Sequence, residues 1–267
     1  MTEGWHVHAA GDPALPPLLC LHGFLGNGGD FAGLVAGLTD RFRLLAPDLP
    51  GHGRSRLPGS VCTMEGCAAA LVSWLDREVG RKALLYGYSM GGRLALYLAL
   101  RYPGRFAAVV LESASPGLAD AGARAARRQH DEALARRLER EGTAAFVATW
   151  YAQPLFDSLR SAPGFAELLA RRQQQPAAGL AASLRGMGTG SQPSLWSELA
   201  RLSLPLSVIV GENDAKFRDI ALKMMTYQSA IDVHVVPGAG HNVHLEQAEA
   251  FTARLRTCLQ AGVTADS

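Results

Sequence analysis

The 267 residues predict an α/β fold: a mostly parallel, twisted sheet flanked by helices and interrupted by one helical insertion. Three observations carry this. Short apolar runs of strand length alternate with helical patterns through most of the chain, and glycine-rich loops follow the early runs. One run, Leu84 to Tyr88, passes through an abrupt turn at Ser89 straight into an apolar helix. Gly87 and Gly91 stand two residues either side of that serine, where a sharp bend leaves room for little else. A Gly-Xaa-Ser-Xaa-Gly pattern alone is common; the strand before it and the helix after it give it weight.

Taken in order, Trp5 to Ala10 alternates weakly and ends in the turn Gly11-Asp12-Pro13, so an opening strand is expected. His6 and His8 lie on one face of it. With no third ligand nearby in sequence, a solvated strand face is the expectation there rather than a metal site. Leu18 to Leu21 is continuously apolar, as in a strand buried on both faces of a parallel sheet. It runs into His22-Gly23-Phe24-Leu25-Gly26, whose glycines let backbone amides point outward. Phe42 to Ala46 is the next strand, and Pro47 to Ser55 a rigid turn region. Two such loops ahead of the Ser89 turn imply one sheet edge lined by loops, where open α/β sheets place ligands. A helix with Trp74 and Leu75 on its apolar side precedes the turn, and Phe106 to Leu111 is a buried strand leading to Glu112-Ser113-Ala114-Ser115-Pro116-Gly117.

From Leu118 to Ala200 the strand patterns vanish. This stretch holds ten arginines and eight acids, so the chain's whole net charge of +2 sits in it. The expected organisation is a core of residues 1–117 and 201–267 with a helical cap, 118–200, lying across the sheet edge as a lid. The sheet resumes at Leu206 to Val210, followed by Gly211-Glu212-Asn213-Asp214-Ala215-Lys216, and at Val233 to Val236, followed by Pro237-Gly238-Ala239-Gly240-His241. A closing helix from about Leu245 to Leu259 carries Ala248, Phe251, Leu255 and Leu259 as a packing stripe.

Composition excludes several classes. A near-neutral balance with no basic stripe speaks against nucleic acid. No run approaches the roughly 20 apolar residues of a membrane span, and no signal-like start is present, so a soluble, cytoplasmic protein is expected. Cys20, Cys62, Cys67 and Cys258 lack metal-type spacing and read as reduced thiols. Oligomeric state is left open.

A serine acting as nucleophile or base needs an imidazole within hydrogen-bond reach and a carboxylate to hold its tautomer. Asp214 follows one late strand and His241 the next, giving the order Ser89, Asp214, His241. Glu212 and His244 are rivals; Asp214 lies farther into its loop, and two glycines free the backbone at His241. The backbone amides of Phe24 and Met90 are the expected oxyanion donors. Arg93, four residues after Ser89, returns to the serine's side of its helix and suggests a carboxylate-bearing substrate if it faces the pocket. Trp150 and Tyr151 either line that pocket or pack the cap onto the core.

Through Leu21-His22-Gly23-Phe24, Asp48-Leu49-Pro50-Gly51-His52-Gly53, Gly87-Tyr88-Ser89-Met90-Gly91-Gly92 and Gly238-Ala239-Gly240-His241 the chain resembles the α/β-hydrolase superfamily over nearly its full length. More narrowly it resembles the 2-succinyl-6-hydroxy-2,4-cyclohexadiene-1-carboxylate synthase family of menaquinone biosynthesis. The match rests on the run to Arg93, Glu112 to Leu118, Trp150 to Phe156, Gly186 to Pro193 and Gly211 to Phe217, and it reaches into the insert. The resemblance implies a lyase in which the triad removes a proton and pyruvate is eliminated from a small polycarboxylate, without metal or cofactor. It implies Tyr88, Arg93, Arg127, Trp150 and Arg172 as substrate contacts. After Arg172 the chain reads Gln173-Gln174-Gln175-Pro176 where asparagine-rich sequence is expected, so Arg171 and Arg172 could exchange roles. Arg124 and Arg128 are likewise alternatives to Arg127. The competing readings are a serine carboxylesterase or carbon-carbon bond hydrolase with the same triad, and a catalytically silent ligand-binding member.

Overall fold

The computed structural model describes residues 4–264; residues 1–3 and 265–267, the outer ends of the expected core segments, lie outside them. Strands β1 (Val7–Ala10), β2 (Pro17–Leu21), β3 (Arg43–Pro47), β4 (Ala83–Tyr88), β5 (Phe106–Glu112), β6 (Leu206–Gly211) and β7 (Asp232–Val236) form one sheet in the order β1-β3-β2-β4-β5-β6-β7. Every pairing is parallel except β1 with β3. The helices are α1 (Val35–Leu38), α2 (Met64–Glu78), α3 (Met90–Arg101), α4 (Ala121–Trp150), α5 (Phe165–Gln173), α6 (Ala177–Met187), α7 (Ala215–Tyr227), α8 (Val243–Glu246) and α9 (Ala248–Thr264). The chain therefore has the mostly parallel, helix-flanked α/β sheet expected from its apolar runs.

Strand alternation sorts the core into two layers. Leu19, Leu21, Leu85, Val109, Leu111, Val208 and Val210 face the side covered by α2 and α3. Leu18, Cys20, Leu84, Tyr86, Val110 and Ile209 face the side covered by α9 and the turn containing Phe31 and Leu34. Because both faces are covered, β2 and β4 are buried at every position, which is why their sequences read as unbroken apolar runs. All four cysteines are free and buried.

Two details differ from the sequence reading. The closing helix is two pieces, α8 and α9, broken at Gln247 (φ −138°, ψ 57°). Phe251, Leu255 and Leu259 are fully buried, but Ala248 is exposed at the first turn of α9 and takes no part in the stripe. The stripe begins one turn later because the break re-aims the helix.

Between β5 and β6 the chain forms α4, α5 and α6, which share an apolar cluster that includes Leu138, Phe146, Leu168 and Leu180. α4 bends at Gly142, whose φ of 79° and ψ of 168° interrupt the helix. The sheet order places β2 between β3 and β4, so the chain turns one way from β2 to β3 and the other way to β4. The loops after β2 and β4 thus flank the point where the winding reverses, with Leu21 in register with Gly87.

Candidate active site

Backbone strain marks the place. Among the described residues, Leu25 (φ 67°), Ser89 (φ 51°) and Ser113 (φ 46°) are the non-glycine residues with positive φ, and they follow β2, β4 and β5 respectively. Such conformations cost about 1–3 kcal/mol each and persist only where packing over-determines them. At Ser89 the packing is provided by glycines: a Cβ at Gly91 would lie 2.0 Å from the Leu21 carbonyl oxygen, and one at Gly87 2.4 Å from that of Gly91. β4 can therefore enter α3 within a single residue, leaving the serine hydroxyl at the tip.

That hydroxyl does not cap α3. Ser89 Oγ lies 3.1 Å from His241 Nε2, and His241 Nδ1 lies 2.7 Å from Asp214 Oδ2. Since the carboxylate can only accept, Nδ1 carries the proton and Nε2 is free to accept from the serine. Asp214 is the N-cap of α7, and its Oδ1 takes the Phe217 amide at 3.3 Å, which fixes the carboxylate's orientation. Asp214 and His241 are buried. The arrangement can take a proton at Ser89 and hold it on imidazole beside a buried carboxylate. Of the rivals, Glu212 is exposed and accepts from the Gly238 amide, while His244 is turned to the buried Glu112, 2.8 Å away.

The two loops ahead of β4 are tied together by His22. Its Nδ1 donates to the Gly23 carbonyl (2.8 Å) and its Nε2 accepts from the Leu49 amide (2.9 Å). Both nitrogens are used by the neutral ring, and burial pushes its pKa down, so the link holds through the neutral range. Asp48 fixes the second loop, accepting from the amides of Gly28 and Arg54 at 2.8 Å each. It also corrects one expectation, because it brings a third candidate ligand to His6 and His8: ligand atoms of the three lie within 4.8 Å of one another. The sequence could not show this contact, made across the β1–β3 pairing. Both Asp48 oxygens are already engaged by the two amides.

A cavity of about 460 Å³ opens beside Ser89 and His241. Phe24, Met90, Arg93, Arg127 and Trp150 line it; Tyr88 and Arg172 do not. Arg93 is buried, with a single hydrogen bond to the neutral Gln192 amide oxygen at 2.9 Å. Burial, reinforced by the charge of Arg127, lowers its pKa to about 10, so it stays cationic at neutral pH with no carboxylate bonded to it. Arg127 bonds Asp131 one turn along α4 at 2.7 Å. Arg124 and Arg128 instead bond backbone carbonyls, of Leu118 and Ala119 and of Gly190. Arg172 is turned away: its guanidinium grips both oxygens of Asp30 at 2.8 and 2.7 Å and bonds the Tyr151 hydroxyl at 3.2 Å, while Arg171 stays at the surface.

Sequence reasoning missed Lys216 and Lys223 of α7, both of which line the cavity, and Gln192 and Asp30 as arginine partners. The lysine signal was available as spacing, since positions 216, 220 and 223 share a helical face. No Asp or Glu is among the described residues that line the cavity, which therefore presents four cationic side chains against no acid.

Residues 16–248 match the family model described as alpha/beta hydrolase fold. A 2-succinyl-6-hydroxy-2,4-cyclohexadiene-1-carboxylate synthase of Serratia proteamaculans is 38% identical over 251 residues, covering 93% of this chain and 95% of that protein. The chloroplastic protein PHYLLO of Arabidopsis thaliana is 36% identical over 90% of this chain, which spans only 15% of that protein's length. Among solved structures, MenH from S. aureus superposes with a TM-score of 0.91 at 30% identity, covering 97% of this chain and 98% of that one. No described helix is long and apolar enough to cross a membrane.

Proposed function

Because the chain belongs to the α/β-hydrolase fold family and, within it, to that of the 2-succinyl-6-hydroxy-2,4-cyclohexadiene-1-carboxylate synthases, we propose that it is a lyase eliminating pyruvate from 2-succinyl-5-enolpyruvyl-6-hydroxy-3-cyclohexene-1-carboxylate. The observation that carries the reading is Arg93: a buried guanidinium without a carboxylate partner, in an acid-free cavity beside Ser89. Burying an unpaired charge is costly, and an anionic ligand supplies the missing partner.

In this reading Ser89, His241 and Asp214 act as the triad. Ser89 Oγ takes the ring proton at C2, next to the succinyl carbonyl, and passes its own proton to His241 Nε2. The enolate oxygen that develops is met by the amides of Phe24 and Met90. As the electrons return through C2, C3 and C4, the C5–O bond breaks and the ring becomes the 2,4-diene; the leaving enolpyruvate oxygen takes the proton held on His241 Nε2, which restores the neutral imidazole, and enolpyruvate tautomerises to pyruvate. The steps need no metal or redox partner, because atoms and charge balance among substrate, serine and imidazole. Arg93 and Arg127 hold substrate carboxylates, and Trp150 closes the cap side. Arg172, expected as a contact, is assigned instead to the cap–core joint. The free, buried thiols support a reducing, cytoplasmic setting.

The test is to incubate the purified protein with the enolpyruvyl cyclohexene acid and follow pyruvate with a lactate dehydrogenase couple. Ser89→Ala and His241→Ala each lower kcat by about 10³-fold or more while the protein remains folded. Absence of pyruvate release, or near-normal release by Ser89→Ala, overturns the proposal.

A further inference from the structure

We propose that Lys216 and Lys223 make the α7 wall of the cavity a carboxylate subsite, separate from Arg93 and Arg127, that captures a second anionic arm of the substrate. This rests on the polycarboxylate lyase reading above. The chain has three lysines against 23 arginines, and two of the three line this one cavity. They are two helical turns apart, about 10 Å along the axis, with Ile220 between them on the same face.

Both lysines are exposed residues that line the cavity, and neither is ion-paired with an acid among the described residues. Each is placed by an aromatic ring instead. Lys216 Nζ lies 5.4 Å from the centre of the Phe217 ring, which itself sits 4.6 Å from the His241 ring. Lys223 Nζ lies 4.9 Å from the Trp196 ring, and the Trp196 indole is anchored to the Gly117 carbonyl at 2.8 Å. Lys216 is thus set one aromatic ring away from His241, and Lys223 lies two turns farther along the same wall. An aromatic face steadies an ammonium group but leaves its N–H donors unused, so they are available to a carboxylate. Rim charges in contact with solvent act on capture and ground-state binding more than on the bond-breaking step. A carboxylate remote from C2 is bound equally before and during elimination, so the signature is KM rather than kcat.

The experiment compares Lys216→Gln, Lys223→Gln, the double variant, and Lys216→Arg/Lys223→Arg with wild type. Arg136→Gln, on the exposed face of α4, controls for net charge. Each single glutamine variant raises KM for pyruvate release about fivefold and the double about 20-fold, with kcat within about twofold of wild type. The salt dependence of kcat/KM is flatter in the double variant, and the arginine pair restores KM to within about twofold. A double variant whose KM matches that of Arg136→Gln, or whose loss lies in kcat, overturns the subsite while leaving the lyase intact. If wild type releases no pyruvate, the functional reading falls, and calorimetric titration with propane-1,2,3-tricarboxylate decides the subsite. Binding weakened about tenfold in the double variant but not in Arg136→Gln supports it. Equal binding, or a wild type that prefers the tricarboxylate no more than propionate, overturns it.

Discussion

Replacing Arg172 by Met removes the joint between α5 and the loop after β2. The Arg172 and Asp30 side chains are each 3% exposed, and the two guanidinium bonds to Asp30, at 2.8 and 2.7 Å, bridge 142 residues of sequence. Breaking a buried pair by deleting one partner costs about 3–5 kcal/mol, because the other charge stays buried. Here Asp30 keeps a weak bond from the Asn27 amide at 3.3 Å and has Arg171 within 4.0 Å, which places the loss at the lower end, about 3 kcal/mol. At this size that lowers Tm by about 6–10 °C. The pH dependence carries a sign. Burial pushes the Asp30 carboxyl up, but the charge and hydrogen bonds of Arg172 pull it farther down, so the net pKa lies below 3.8. A depressed carboxyl contributes stability that is present above the unfolded value and lost as pH falls through the folded one. Without Arg172 burial dominates and the dependence reverses, so the gap between wild type and variant is widest near neutrality; on acidification it narrows first as the variant's raised carboxyl protonates above its unfolded value, then as the wild-type carboxyl protonates below it. Urea unfolding followed by tryptophan fluorescence at several pH values measures both, and Asp30→Leu/Arg172→Met, which leaves no orphan charge, loses less than Arg172→Met alone. An Arg172→Met protein with wild-type Tm and a raised KM refutes this reasoning and returns Arg172 to the substrate.

Gly91→Ala puts a Cβ 2.0 Å from the Leu21 carbonyl oxygen, both in backbone that cannot yield cheaply, so it gives little folded protein; Gly104→Ala, with open space at its Cβ, melts within about 0.5 kcal/mol of wild type, and circular dichroism melts compare the two. Burial pushes the Cys20 and Cys67 thiols well up, so at pH 8 neither reacts with a disulfide reagent in the native protein and both react in urea; rapid native labelling of either would contradict the packing. Glu112, fully buried, accepts from the Tyr86 hydroxyl, from the His244 amide at 3.0 Å and from His244 Nδ1 at 2.8 Å. Glu112→Leu strands all three donors and loses about 2–4 kcal/mol by urea titration, whereas Glu112→Gln, which keeps an acceptor, loses about half as much.

What could be read from the chain divides by whether a residue's role is fixed locally. The Ser89 turn was legible because the crowding that demands Gly87 and Gly91 lies within the next few residues and the strand beside them. Asp214 and His241 were legible as residues at strand ends, since a parallel sheet brings the loops after its strands to one edge whatever the helices do. The cations obey no such rule. Counting charge over residues 118–200 located the net +2 correctly yet pointed to the wrong suppliers, because half of the ten insert arginines pair with acids at the surface, among them Arg136 with Glu132, Arg137 with Glu141, and Arg185 with Glu132 and Glu139. Only Arg127 of that stretch lines the cavity, and the other cations there, Arg93, Lys216 and Lys223, come from the core. Arg172 shows why: in sequence it is one more basic residue, and its assignment depends on an aspartate 142 positions away that composition cannot bring near it. A surplus of charge in a segment therefore says how much must be neutralised, while the pairing geometry decides whether a protein acid or a ligand neutralises it. Arg93 is informative for that reason: the fold buries it and provides only an amide oxygen, leaving the carboxylate to come from outside.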